Sequence, residues 1–122
     1  MDKSVLYEQT TKPTSSPVEF IEHPKSVYLS GKLPVIVQCI AKNAAQTYME
    51  CNNKIREDAK RNVTRKENIK YDTLSLMVKR KEFEKNTYKK LTCKCVAYSE
   101  NSNEKLMSNK AVIQNSCKYK TS

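Results

Sequence analysis

Two cysteines one residue apart in a strand-forming segment constrain this chain more than any other feature. The segment, residues 91–98, reads Leu-Thr-Cys-Lys-Cys-Val-Ala-Tyr, and its β-branched, aromatic and cysteine content predicts a β-strand. Because alternate residues of a strand face the same side, Cys93 and Cys95 share the predicted core face. Two thiols placed like this are poorly oriented to bond to each other. Each therefore needs a partner from Cys39 and Cys51, the two cysteines upstream.

Length and composition favour one small domain that needs further stabilisation by disulfides or a bound metal. The chain has 122 residues, of which 38% are hydrophobic, so burial alone gives a modest core. Its single Gly predicts that Asn, Ser, Asp and Pro make the turns. The net charge of +10, from 23 basic and 13 acidic side chains, predicts a polyanionic partner such as a glycosaminoglycan, nucleic acid or anionic lipid. The alternative is a lysine-rich surface that is merely solvated.

The hydrophobic pattern predicts an all-β fold. Short apolar segments recur at about ten-residue spacing without a sustained helical period, as in an antiparallel β-sandwich. The predicted strands are residues 18–21, 26–29, 33–41, 46–51, 72–78, 91–98 and 109–114. Their alternation predicts a core made of Val35, Val37, Cys39, Ala41, Thr47, Met49, Cys51, Leu74, Leu76, Val78, Leu91, Cys93, Cys95 and Ala97.

The segments between these strands are mostly charged or polar. Residues 52–71 show only charge, and residues 79–90 predict a basic connector with one helical turn around Phe83. We expect a flexible tail over residues 1–17, one domain over 18–114 and a C-terminal linker over 115–122.

The cysteine spacing resembles that of an immunoglobulin domain. The stretch Cys95-Val-Ala-Tyr-Ser99 matches the sixth strand of that fold, and Cys39 lies where the second strand supplies the bonded cysteine. In that family a Trp follows the first Cys by about a dozen residues and a Tyr precedes the second by about two. Here both positions are cysteine, Cys51 and Cys93. The resemblance implies an immunoglobulin-like antiparallel β-sandwich with two core disulfides, Cys39–Cys95 between the sheets and Cys51–Cys93 between neighbouring strands.

A different chemistry is open to the same four cysteines. Four thiolates can bind zinc, although zinc knuckles usually use Cys-x2-Cys rather than Cys-x-Cys with Cys-x11-Cys. The corresponding alternative function is an intracellular basic nucleic-acid-binding protein with a thiolate zinc site. The chain lacks RNP aromatics, a GXXG loop and a Cys-x2-Cys finger, which argues against it. Cys117 remains, either to pair outside this sequence or to stay a free thiol.

Five stretches resemble the first immunoglobulin domain of netrin receptors of the repulsive, uncoordinated-five class. They are Phe20-Ile-Glu-His-Pro-Lys-Ser-Val-Tyr28, Pro34-Val-Ile-Val-Gln-Cys39, Met49-Glu-Cys-Asn52, Val78-Lys-Arg-Lys-Glu-Phe-Glu-Lys85 and Cys93-Lys-Cys-Val-Ala-Tyr-Ser99. Together they extend over nearly the whole predicted domain.

This resemblance implies an extracellular ligand-recognition domain of a single-pass membrane receptor that guides axons and migrating cells. Its implied partners are a netrin-like secreted protein, heparan sulfate and cell-surface adhesion proteins, with no nucleic acid. The sequence itself shows no membrane span, no cofactor motif and no Cys/His or Ser/His/Asp set, so we expect no enzyme. Its N-terminus has no apolar leader, so we expect a fragment, a mature segment or an incomplete gene model.

Two surfaces and one modification motif are candidate functional sites. Basic residues of the connector and the strand after it predict a polyanion-binding strip made of Lys79, Arg80, Lys81, Lys85, Lys89, Lys90 and Lys94. Outward residues of two neighbouring strands predict a protein-ligand face made of Tyr48, Lys94, Val96 and Tyr98. For both surfaces the alternative is that these are ordinary solvated surface residues that bind no partner.

Two single positions complete the sequence analysis. Asn62-Val-Thr64 fits the N-glycosylation pattern and lies in a charged, polar stretch. His23, the only histidine, precedes Pro24 and is expected to be a turn residue rather than a ligand or a catalyst.

Overall fold

The computed structural model describes residues 17–31, 33–86, 89–100 and 104–115, which form ten strands and one short helix. In chain order these are β1 (Glu19–Glu22), β2 (Val27–Leu29), β3 (Val35–Lys42), β4 (Ala44–Cys51), β5 (Lys54–Ile55), β6 (Lys60–Lys66), β7 (Ile69–Val78), α1 (Arg80–Asn86), β8 (Lys90–Ser99), β9 (Lys105–Met107) and β10 (Ala111–Asn115). Nearly all of the predicted tail, and Cys117 with most of the predicted linker, lie outside the described residues.

The strands form two sheets that pack face to face. One sheet has the order β1–β3–β7–β6, and the other has the order β2–β10–β8–β4–β5, with β9 paired to the end of β8. The short β2 runs parallel to β10, whereas the other pairs are antiparallel. This strand order is that of an immunoglobulin-like sandwich, so the predicted fold class is confirmed.

The core consists of the side chains that alternation points inward. Of the residues predicted to form it, Val35 is half-buried and all the others are buried. The four inward residues of β8 are each exposed by 2% or less, which makes this strand the centre of the core. Phe83 is also buried and ties α1 to the sandwich, so the predicted helical turn is confirmed and extends over seven residues.

Three strands were not predicted from the sequence: the two-residue β5 at the end of its sheet, the edge strand β6, and the short β9. All seven residues of β6 are exposed, so no apolar alternation marks the strand. It exists because it pairs with β7 over its whole length, from Lys60 opposite Ser75 to Lys66 opposite Ile69. The three exposed residues of β9 likewise depend on their pairing with β8. The charged stretch from 52 to 71 is therefore structured by its neighbours.

Among the described residues, asparagine occupies four of the five positive-φ positions not held by glycine, in agreement with the prediction that Asn, Ser, Asp and Pro make the turns. Asn52 and Asn53 connect β4 to β5, and Glu67 and Asn68 connect β6 to β7, all with positive φ between 50° and 68°. Two-residue hairpin loops with positive φ at both positions match the right-handed twist of the flanking strands. Asn tolerates this conformation better than other residues with a Cβ, whereas Glu67 adopts it against its intrinsic preference.

A buried carboxylate joins the two sheets at one end. The side chain of Asp72 on β7 is fully buried and accepts hydrogen bonds from Arg61 Nε at 2.7 Å and Thr47 Oγ1 at 3.1 Å. Arg61 also donates to the backbone oxygen of Ala45, and Lys70 donates to that of Ala44. Because Thr47, Ala45 and Ala44 belong to β4, this network connects the edge of one sheet to the other.

Candidate recognition surfaces

Two disulfides join the central strand β8 to β3 in the opposite sheet and to its neighbour β4 in the same sheet. Cys39 of β3 is bonded to Cys95 of β8 between the sheets, with a Cα–Cα distance of 6.7 Å. Cys51 of β4 is bonded to Cys93 of β8 within one sheet, where the two residues are opposite each other in register. The prediction of two core disulfides is confirmed. All four sulfur atoms are used, so no thiolate remains for the alternative zinc site.

The outer face of β4, β8 and β9 carries a tyrosine pair. The rings of Tyr48 and Tyr98 lie 6.1 Å apart and their hydroxyls are 3.5 Å apart. The hydrogen bond that the Tyr48 hydroxyl shares with Tyr98, followed by partial burial, raises the pKa of Tyr48 to about 12. Met107 of β9 lies on the same face, opposite Val96, and is 48% exposed. This mixed aromatic and apolar surface lies on a rigid sheet.

Val96 does not belong to the exposed part of this face, and its prediction as a surface residue was wrong. It points outward with Tyr48 opposite it on β4, yet none of its surface is exposed. Val96 occupies the central strand, and the larger side chains of Tyr48, Met107 and its neighbours along β8 cover it. Alternation gives the direction of a side chain, but the size of its neighbours decides its exposure.

Lys94 lies on the same face in an ion pair. Its Nζ is 3.6 Å from Glu50 Oε1, opposite it on β4, and both side chains are 21% exposed. The pair lines a small cleft with Asn52 and Lys110. Lys94 therefore borders the tyrosine pair, and it does not line the cleft beside α1 that is described next.

A second cleft, of about 500 Å³, lies beside α1. Its lining residues are Arg56, Asp58, Met77, Lys79, Lys81, Glu82 and Lys85. We call it the α1 cleft. Lys81 and Lys85 are one helical turn apart and so lie on the same face of α1, which places their charges together with that of Lys79.

Arg56 controls the charge of the α1 cleft. It donates to Asp58 Oδ1 and Oδ2 at 2.9 Å each, and to Glu82 Oε2 and Oε1 at 2.7 and 3.2 Å. These bonds lower the pKa of Asp58 and raise the pKa of Arg56 further above its usual value. Both acids are thus held by one guanidinium. Among the described residues, the three lysines of the cleft have no ion-pair partner, so they carry its positive charge.

The structure assembles only part of the predicted basic strip. Lys79, Lys81 and Lys85 share the α1 cleft, whereas Arg80 donates to the backbone oxygen of Gly31 at 2.9 Å. Lys89 and Lys90 are exposed at the start of β8 and do not line the cleft. Sequence reasoning missed Arg56, because it lies more than twenty residues before the connector and only folding brings it to α1.

The remaining candidates have clear positions. Asn62 and Thr64 lie on the exposed edge strand β6. His23 Nδ1 accepts a hydrogen bond from the backbone N–H of Asn109 at 3.0 Å, and its ring packs at 5.8 Å from that of Phe20. His23 therefore ties the link between β1 and β2 to the segment before β10. No group of three His, Cys, Asp or Glu within the described ranges could hold a metal ion, and none of these residues forms a helix long and apolar enough to cross a membrane.

A two-sheet sandwich with this strand order and two core disulfides defines an immunoglobulin-like domain. The family model of the netrin receptor unc-5 N-terminal domain matches residues 11–113, most of the 122-residue chain. The chain belongs to this family, which is an extracellular, non-enzymatic kind of receptor domain.

Two further comparisons complete this result. No curated protein matches the chain. Among solved structures, the solution structure of the fourth constant immunoglobulin domain of nurse shark IgNAR is similar, with 12% sequence identity and a TM-score of 0.49, covering 82% of this chain and 93% of that one. The alternative of an intracellular nucleic-acid-binding protein agrees neither with the family nor with the disulfide-bonded cysteines.

Proposed function

We propose that this domain is the ligand-recognition domain of a netrin receptor at the cell surface, where it binds a netrin-like secreted protein and heparan sulfate at two separate sites. The observation that carries the proposal is the family match over residues 11–113. In a single-pass receptor that guides axons and migrating cells, such a domain brings the ligand to the cell. Cell-surface adhesion proteins are further candidate partners for the same sheet.

The protein ligand is proposed to bind the outer face of β4, β8 and β9. Tyrosine and methionine are enriched at protein interfaces, and the tyrosine pair with Met107 offers such a surface. The neighbouring Glu50–Lys94 pair supplies charge at its border. A rigid sheet face needs little ordering on binding, which favours affinity.

Binding of a netrin-family protein to immobilised domain tests this site. Tyr98→Ala combined with Lys94→Glu should weaken binding at least about tenfold, as expected when a central tyrosine anchor is lost. The control, Tyr28→Ala with Lys25→Glu, makes equivalent changes at exposed positions away from the tyrosine pair. A double variant that binds as tightly as wild type, with an unchanged melting temperature, would exclude this face.

Heparan sulfate is proposed to bind the α1 cleft. Three lysines line the cleft without an acidic partner in the described structure, because Arg56 holds both of its carboxylates. A linear polyanion needs charge density more than fixed geometry, and its binding releases condensed counterions. Binding should therefore weaken steeply as salt rises.

Heparin affinity as a function of salt tests the cleft. Lys79→Glu with Lys81→Glu and Lys85→Glu should lower the slope of log Kd against log salt by roughly 2 to 3, about 0.9 for each lost contact. The control carries the same charge change at Lys25, Lys105 and Lys110, which are exposed and lie outside the cleft. If both variants lose affinity equally, net charge is acting and the cleft is not a site.

A further inference from the structure

Strand β6 is a long exposed edge that the proposed binding sites do not use. Its seven residues pair with β7 on one side only, and β6 ends the order of its sheet. Unpaired strand edges are templates for pairing with other chains, and proteins cover or charge them. The strand contains Lys60, Arg61, Arg65 and Lys66, and no acidic residue. It is therefore both an open edge and a second cationic surface.

The glycosylation motif lies in the middle of this edge strand. Asn62 is opposite Thr73 and Thr64 is opposite Tyr71, and on β7 these partners alternate with the buried Asp72 and Leu74. Asn62 and Thr64 therefore point away from the core, on the same outer face as Lys60 and Lys66. The Asn62 side chain is exposed and has no hydrogen-bond partner among the described residues, so its amide is accessible.

The two lysines on this face of β6, Lys60 and Lys66, lie close to Asn62. At about 3.4 Å per residue, Lys60 is about 7 Å from Asn62 along the strand and Lys66 is about 14 Å away. A branched oligosaccharide on Asn62 would extend over these distances and hide the lysines from a long polymer. The α1 cleft would stay open, because neither Asn62 nor any other residue of β6 lines it.

We propose that Asn62 carries an N-linked glycan that covers the β6 edge and its cations, and so directs polyanions to the α1 cleft. The modification transfers an oligosaccharide from a polyprenyl diphosphate donor of the secretory pathway. A bond forms between the Asn62 amide nitrogen and the sugar C1, the bond from C1 to the diphosphate oxygen breaks, the nitrogen loses one proton, and the lipid diphosphate leaves. The occupancy of Asn62 stands independently, whereas the steering of polyanions rests on the proposed function of the α1 cleft.

Occupancy is tested on the secreted chain from glycosylating animal cells by intact mass and peptide mapping. Wild type and Thr64→Ser, which keeps the motif, should carry a glycan that enzymatic deglycosylation removes from Asn62. Asn62→Gln and Thr64→Ala should lack it. If each of the four proteins has the mass of its bare polypeptide, the proposal is overturned.

Steering is tested with heparin in two backgrounds, the glycosylated wild type and unglycosylated Thr64→Ala. Lys60→Glu with Lys66→Glu, the two lysines on the same face as Asn62, should change heparin binding in the glycosylated background no more than the control Lys25→Glu with Lys110→Glu. In the Thr64→Ala background the same double change should lower the salt slope by roughly 2 further, about 0.9 for each lost contact. An equal effect in both backgrounds would show that the glycan does not cover β6.

The same series separates the two proposals. If the α1-cleft variant behaves like its control while the β6 effect still depends on the glycan, the proposed heparan sulfate site is wrong and the cover on β6 stands. If the α1-cleft variant loses affinity while the β6 substitutions have the same effect with and without the glycan, the heparan sulfate site stands and the proposed glycan cover on β6 is wrong.

Discussion

Arg56 donates to both carboxylate oxygens of Glu82, at 2.7 and 3.2 Å, and so joins the loop before β6 to helix α1. The same guanidinium also holds both oxygens of Asp58. Only Arg presents donors in a planar fork that matches carboxylates in this way. One side chain therefore fixes the helix and keeps the acids of the α1 cleft away from its lysines.

Replacing Arg56 should loosen α1. Arg56→Lys keeps the charge but loses the fork, and we expect it to lower the free energy of unfolding by about 1–2 kcal/mol. Because Arg56 lowers the pKa of Asp58, this stabilisation is present above the usual pKa of an aspartate and is lost as pH falls through the lowered value. Urea unfolding at neutral and acidic pH measures both effects. Arg65→Lys is the control, and an equal loss there would remove the special role of Arg56.

The two disulfides should differ in their contribution. Cys39→Ala should cost about 2–5 kcal/mol, because this bond closes a loop with a sequence separation of 56. Cys51→Ala should cost less, since the ends of the nested loop are already restrained by the first bond. Thermal unfolding of each variant, with non-reducing peptide mapping of wild type, measures this order. Free thiols at these positions in folded, secreted protein would contradict both expectations.

Substitution of Val96 should lower the stability of the domain and leave ligand binding unchanged. Val96→Ala removes two buried methyl groups on the outer face of β8, and we expect a loss of about 1–3 kcal/mol. Val63→Ala, at a valine that is 43% exposed, should change stability by less than about 0.5 kcal/mol. Equal effects in chemical denaturation would mean that Val96 is not packed as described.

The Asp72 network should be sensitive to the loss of its cation. Arg61→Ala leaves a fully buried carboxylate with Thr47 as its hydrogen-bond donor and the Lys70 Nζ 4.0 Å from Oδ1, and we expect a loss of about 2–3 kcal/mol. This is less than for a wholly buried pair, because the Arg61 side chain is 34% exposed. Arg65→Ala on the same strand is the control. In the Asp72→Asn background the cost of Arg61→Ala should shrink, which a double-mutant cycle would measure.

Glu67 should be a site where substitution stabilises the domain. It has a φ of 53° in the two-residue loop between β6 and β7, a conformation that asparagine adopts more readily. We expect Glu67→Asn to raise stability by about 0.5–1 kcal/mol. Glu57→Asn makes the same charge change at an exposed turn residue that is outside the positive-φ set. A gain of the same size there would assign the effect to charge rather than to the turn.

The long strands and the core could be predicted from the sequence because their signals are local. Alternation along β3, β7 and β8 depends only on which residues are apolar, and burial follows from it directly. The spacing of the cysteines, together with the resemblance to immunoglobulin domains, gave the number of disulfides. The single Gly predicted that Asn, Ser, Asp and Pro make the turns; Asn does so at most of the positive-φ positions, whereas Glu67 was not foreseen there.

Only the tertiary structure decided what depends on neighbours distant in sequence. Strand β6 carries no pattern of its own and forms by pairing with β7. Val96 is buried by the larger side chains around it on the neighbouring strands. Lys94 forms an ion pair with Glu50 and does not extend the basic surface of the connector. Arg56 reaches α1 only after the chain has folded back, and it is this contact that leaves three lysines to define the α1 cleft. Hydrophobic periodicity depends only on residues close together in the sequence. Side-chain exposure, ion pairing and the formation of edge strands depend on contacts between segments far apart in the chain.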